Sequence, residues 1–246
     1  PRTASALLMF LARFVLAGAD LGDWFFIEDK DLQVKGEGVK PFEYHWSRLA
    51  KEYREGKPLT PTYWTFTRSK TEAKESRVTR INIAHPLTLQ IIAQLNESLD
   101  RPYSPYFVKI AQADYYKLKN MPKGTAGNRV FTNGNPSFSN CLSQVNKKLK
   151  PFLNNTYDVS QRNARSFFIN TLNESNVTLE DRAYLVGHSI NHSQTNYTKW
   201  SWTLAERYDN GLFSAIQNAR IEELFEAWKK HAAPYVNIIP HWSNLY

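Results

Sequence analysis

Apolar residues return at helical spacing through most segments between this chain's glycines and prolines. Only two short runs are rich in β-branched and aromatic residues instead. That distribution restricts the fold to one that is mostly α with a small antiparallel β-sheet. Residues 4–17 carry the apolar density of a core helix ending near Gly18. Residues 22–34 read as irregular or short extended chain. Phe42, Trp46, Leu49 and Tyr53 place one apolar face on a helix over about 42–54, which Gly56, Pro58 and Pro61 end. Tyr63 to Thr67 and Val78 to Ile83 predict a hairpin, joined by the polar, basic stretch Arg68 to Arg77. Pro86 opens a further helix carrying Leu87, Leu89, Ile91, Ile92 and Leu95.

Beyond it, residues 100–136 are punctuated by prolines and glycines as loops, and helices follow at about 137–152, 159–173 and 178–186. Thr178 with Asp181 three residues on resembles a capping box, and Gly187 closes that helix. A last helix at about 210–231 carries the stripe Ile221, Leu224, Phe225 and Trp228, which either packs on its own domain or is donated to a neighbouring subunit. There are no internal repeats.

Apolar residues make up 42% of the 246, which is ample for a packed core, and the net charge of +8 favours a polyanionic partner. One cysteine, Cys141, excludes an internal disulfide framework and a Cys-based zinc site, and fits a reducing compartment. The run Leu7 to Ala12 is not a membrane anchor: Arg13 interrupts it and Asp20 and Asp23 follow, short of the roughly 18 apolar residues a span requires. Asp20, Asp23, Glu28, Asp29 and Asp31 have no metal-ligand spacing, and no nucleotide-binding loop of the Gly-Lys-Ser/Thr type occurs.

The chemistry-bearing residues fall late in the chain. Tyr197 follows His188 by nine residues, and Arg165 lies upstream in Arg162-Asn163-Ala164-Arg165. A phenol is a poor nucleophile at neutral pH, and surrounding cations favour its phenolate. Arg165 on a helix can fork two N–H donors onto a phosphodiester, and His188 can donate another where charge builds in the transition state. Attack by Tyr197 would leave a covalent phosphotyrosine and expel a sugar hydroxyl that must be protonated. Lys70, in the hairpin connection, is the candidate acid, with Lys74 second. Such a site needs neither metal, cofactor nor ATP, because the covalent bond keeps the energy of the phosphodiester. The plainer reading of these residues is a helical domain with an exposed tyrosine, a Gly-His turn and a solvated turn lysine.

Three segments resemble the catalytic motif of the tyrosine recombinases, the phage-integrase family: Arg162 to Phe167, Tyr184 to Ser189, and Thr195-Asn196-Tyr197. Leu16 to Asp23 resembles the helix end that carries that family's first arginine, and the Tyr63–Ile83 hairpin the one that carries its lysine. The resemblance implies a tyrosine-recombinase-like catalytic domain over 1–200, with 35–61 as an insertion and 201–246 as a helical tail that packs on a neighbouring subunit. It implies that Arg165 is the second catalytic arginine, His188 the His-or-Trp position, Tyr197 the nucleophile and Lys70 the leaving-group acid. It also implies double-stranded DNA as substrate, a homo-tetramer on paired sites, a separate core-binding domain before Pro1 and a bacterial cytoplasm or nucleoid location.

Two positions depart from the family pattern. Asp20 stands where the first arginine is expected, and a carboxylate beside a phosphate is repulsive. Arg13, about two turns earlier, is the residue expected to compensate. Arg162 replaces the usual histidine three residues before Arg165, which keeps the charge but not the proton shuttle. Arg13, Arg68, Lys74, Arg77, Arg80, Lys147, Lys148 and Lys150 are expected DNA contacts, with Lys147-Lys148 alternatively a solvated helix face. A type IB topoisomerase-like enzyme shares the tyrosine chemistry without a partner site, and a catalytically inactive DNA-binding relic is the reading Asp20 suggests.

Overall fold

A computed structural model describes residues 2–19, 28–67, 78–98, 163–187 and 201–245. Among these residues it is mostly helical with one small antiparallel sheet. The helices are α1 (Arg2–Val15), α2 (Phe42–Arg54), α3 (Pro86–Ser98), α4 (Asn163–Glu174), α5 (Leu179–Leu185), α6 (Trp202–Asn218) and α7 (Ile221–Ala232). The strands β1 (Leu32–Gln33), β2 (Tyr63–Thr67) and β3 (Val78–Asn82) run in that order across the sheet. The hairpin pairs Tyr63 with Asn82 and Thr67 with Val78, and Trp64 pairs with Leu32 on the other edge. The third strand comes from the stretch expected only as irregular or short extended chain. The helix expected at about 137–152 and the loops of 100–136 lie outside the described residues.

The centre of the molecule is α1. Every residue from Leu7 to Val15 is buried, and all but Arg13 are apolar, so this stretch of the helix must be enclosed on every side. It is enclosed by α3, α4, α6 and α7. Phe10 and Phe14 meet Phe167 at ring-centroid distances of 6.0 and 5.1 Å, and Phe14 meets Phe168 edge-on at 5.3 Å, which seats α4 on α1. No helix among the described residues is long and apolar enough to cross a membrane.

On α2, Phe42, Trp46, Leu49 and Ala50 are buried in the common core, and the helix packs on the 3-10 turn Trp242–Leu245. Trp46 meets Trp242 at 6.3 Å, and Tyr53 stacks on His241 at 4.3 Å. Asp29 accepts the N–H of Phe42 at 3.0 Å, serving as the cap that Pro41 does not provide. The helix of the stretch 35–61, expected as an insertion, buries its apolar face in the chain's own core.

His45 on the same helix is 1% exposed, and neither ring nitrogen has a hydrogen-bond partner among the described residues. Burial, and then the neighbouring Arg48, holds its imidazole below its ordinary value of 6.5. The folded state therefore resists protonation more than the unfolded chain does. Its contribution to stability, present above the unfolded value, is lost as pH falls through the lowered folded one. Urea unfolding should show a midpoint that drops as pH falls below the ordinary value of 6.5. His45→Leu should flatten part of that slope, and an unchanged slope would remove the assignment.

The C-terminal third differs from expectation in two ways. The helix expected as one piece at about 210–231 is two helices, broken at Ala219 and Arg220, where Arg220 adopts φ +54. The first of them begins at Trp202, capped by the Ser201 hydroxyl accepting from the N–H of Leu204 at 3.2 Å. The break turns α7 back onto α1 and buries Ile221, Leu224, Phe225 and Trp228, all 1% exposed or less. The stripe that was open between its own domain and a neighbour is thus covered by its own domain. Among the described residues, those from α1 to Trp242 share one apolar cluster.

Candidate active site

Among the described residues, three of the segments singled out in the sequence converge: the end of α1, the start of α4 and the turn after α5. Helix α1 closes through two consecutive left-handed residues, Ala17 (φ +53) and Gly18 (φ +67), and the Gly18 N–H donates to the Arg13 carbonyl at 2.7 Å. Gly18 lies flat against α4: a Cβ built on it would fall 2.8 Å from the Cα of Arg165. From its other side Arg165 donates through Nη2 to the carbonyl of Val186 at 2.6 Å. Val186 precedes Gly187 (φ +64), which closes α5 as expected. Arg165 is therefore gripped at its backbone by one segment and at its guanidinium by another, which orients the fork of donors it carries.

Arg13 stands near the same end of α1. It is 6% exposed, inside the core run of α1, and its Nε donates to the Ala19 carbonyl at 3.1 Å. Its action is on the turn that follows α1, which it braces from beneath.

The turn after α5 is set by a helix held at both ends. The Thr178 hydroxyl accepts the Asp181 N–H at 3.2 Å, which is the first half of the expected capping box. The reciprocal half does not form. The shorter Asp181 side chain, 5% exposed, instead accepts from Arg207 of α6 at 2.6 Å. Helix α6 packs on α4 and α5 and also on β3. At Gly211 it comes so close that an added Cβ would lie 3.4 Å from Leu185 and Val177.

Sequence reasoning missed a buried polar cluster between α6 and the hairpin. Asp209, 8% exposed, accepts through one oxygen from the Tyr63 hydroxyl at 2.6 Å and from the Asn82 side-chain amide at 2.8 Å. Burial raises the Asp209 carboxyl above the usual carboxylate range, against the two hydrogen bonds, which lower it. Burial, and then the bond to Asp209, raises the Tyr63 phenol. The readable signal was a carboxylate within the apolar face formed by Ala205, Tyr208, Leu212, Ala215 and Ile216.

Tyr197, His188, Arg162 and Lys70 lie outside the described residues, as do Asp20, Arg68, Lys74, Arg77, Lys147, Lys148 and Lys150. Arg80 is half-buried on β3, paired in register with Thr65. No group of three or more His, Cys, Asp or Glu side chains among the described residues is arranged to hold a metal ion. Comparison with protein families, with curated proteins and with solved structures gives no match to this chain.

Proposed function

We propose that this chain is the catalytic domain of a site-specific DNA recombinase or integrase of the tyrosine-recombinase type. The observation that carries the reading is the seat of Arg165. Its Cα lies against Gly18 and its guanidinium on the Val186 carbonyl. Segments far apart in sequence, each resembling a different piece of one catalytic motif, meet at that arginine.

In this reaction the Tyr197 phenolate oxygen attacks the phosphorus of a DNA phosphodiester. A bond forms between that oxygen and phosphorus, and the bond to the 5′-oxygen breaks. The departing 5′-hydroxyl takes its proton from Lys70. Arg165 and His188 donate hydrogen bonds to the non-bridging oxygens as charge builds on them. The product is a 3′-phosphotyrosyl adduct, and attack on it by a 5′-hydroxyl from a partner strand rejoins the DNA without ATP. The net charge of +8 suits the polyanionic substrate.

The test uses a pool of randomised-sequence duplexes, each nicked so that the short fragment bearing the freed 5′-hydroxyl diffuses away after cleavage, with the mixture quenched in detergent. A protein–DNA adduct that survives denaturation is the expected result. Retention of duplex without any adduct would leave a DNA-binding relic and end the enzymatic reading. Relaxation of supercoiled plasmid regardless of sequence would favour the topoisomerase class instead.

A further inference from the structure

We infer that Asp209 is a positioning residue, whose single carboxylate oxygen clamps both strands of the β2–β3 hairpin to α6. The inference rests on the proposed function and deepens it. Tyr63 and Asn82, the two donors to Asp209, are register partners at the base of the hairpin. One oxygen therefore holds both strands at the same level. The clamp is tied inward as well. Asn82 Oδ1 accepts the N–H of Thr62 at 3.2 Å and of Ala84 at 2.9 Å, and Trp202 packs edge-on against Tyr63 at 5.6 Å. Trp202 and Asp209 are seven residues apart on α6, two turns along one face, so the helix grips the tyrosine at its ring and at its hydroxyl.

The hairpin runs on from the clamp to Thr67 and Val78, about 13 Å at the usual rise of a strand, and the sequence places Lys70 in the connection beyond. Helix α6 begins five residues after Tyr197 and is joined to α5 by the Arg207–Asp181 pair. In sequence, the acid of the proposed reaction follows one of the two elements that this clamp locks together, and the nucleophile precedes the other by five residues. A buried carboxylate whose two hydrogen bonds come from neutral donors, with no ion pair among the described residues, is a costly way to hold a hairpin. Its return is a single angle of the hairpin against the helix.

The experiment compares two versions of a duplex recovered from the randomised pool, with oxygen or with sulfur at the 5′-bridging position of the scissile phosphodiester. A thiolate leaves at neutral pH without being protonated, so the sulfur version does not need the lysine. Wild type is expected to form the adduct with both. Asp209→Ala and Tyr63→Phe should slow adduct formation on the oxygen version by about 100-fold or more and recover most of the loss on the sulfur version. Asp209→Asn, which keeps an acceptor oxygen, should retain most of the rate. Tyr63→Phe removes one oxygen atom and carries the test if Asp209→Ala does not fold.

Equal losses on both versions would overturn the positioning role while leaving the recombinase reading intact. Recovery of no adduct-forming duplex from the pool with wild type would overturn that reading, and the clamp's chemical role with it.

Discussion

Gly18→Ala is expected to destabilise the protein by about 2–4 kcal/mol and to abolish covalent capture of DNA. Two effects add. At φ +67 the alanine side chain meets its own backbone, a cost of about 1–2 kcal/mol in the left-handed region. Its Cβ would also lie 2.8 Å from the Arg165 Cα, 3.0 Å from the Arg165 Cβ and 3.0 Å from its Cγ. The first of these is backbone of a helix seated on the Phe10, Phe14, Phe167 and Phe168 cluster and cannot swing aside as a flexible side-chain tip would. Either α4 retreats, taking Arg165 with it, or the end of α1 does. Urea unfolding measures the first effect and adduct formation on nicked duplex the second. A variant within about 0.5 kcal/mol of wild type would show that the two segments are not in contact.

Arg165→Ala is expected to slow adduct formation by about 100- to 1,000-fold while the fold survives. Among the described residues the structural loss includes the hydrogen bond to the Val186 carbonyl, about 1 kcal/mol, on a half-buried side chain. The chemical loss is that of a planar fork of donors aimed where negative charge develops. Arg165→Lys keeps the charge but not the fork and should recover only a minor part of the rate. If Arg165→Ala instead unfolds the protein without a selective effect on cleavage, the side chain is a strut between α4 and α5 and no more.

The legible parts of this fold were those with local punctuation. Helix α2 and strand β2 begin and end where their apolar spacing, Gly56, Pro58 and Pro61 place them, because backbone preference and tertiary packing agree there. The break between α6 and α7 was illegible. It falls at Ala219-Arg220, two good helix formers, and is imposed by the need to bring the Trp228 stripe back onto α1. The burial of Arg13 was illegible for a related reason: a basic residue in a helix usually marks its solvent face, but here Leu7 to Val15 are all buried, and its Nε reaches the Ala19 carbonyl.

Of the candidate site, the motif spacing pointed to Arg165 and to the turn at Gly187, but no sequence pattern places Gly18 under Arg165. That contact depends on how α4 seats on α1. Asp209 was hidden by a boundary: with the helix taken to start at about 210, its carboxylate fell outside the apolar face in which it lies.

The most direct measurement is the identity of the residue joined to DNA. Adduct from nicked duplex, digested with protease and nuclease and sequenced by mass spectrometry, should carry its nucleotide remnant on the peptide containing Tyr197, and Tyr197→Phe should form none. A remnant on any other side chain, or an adduct that persists in Tyr197→Phe, would contradict the account.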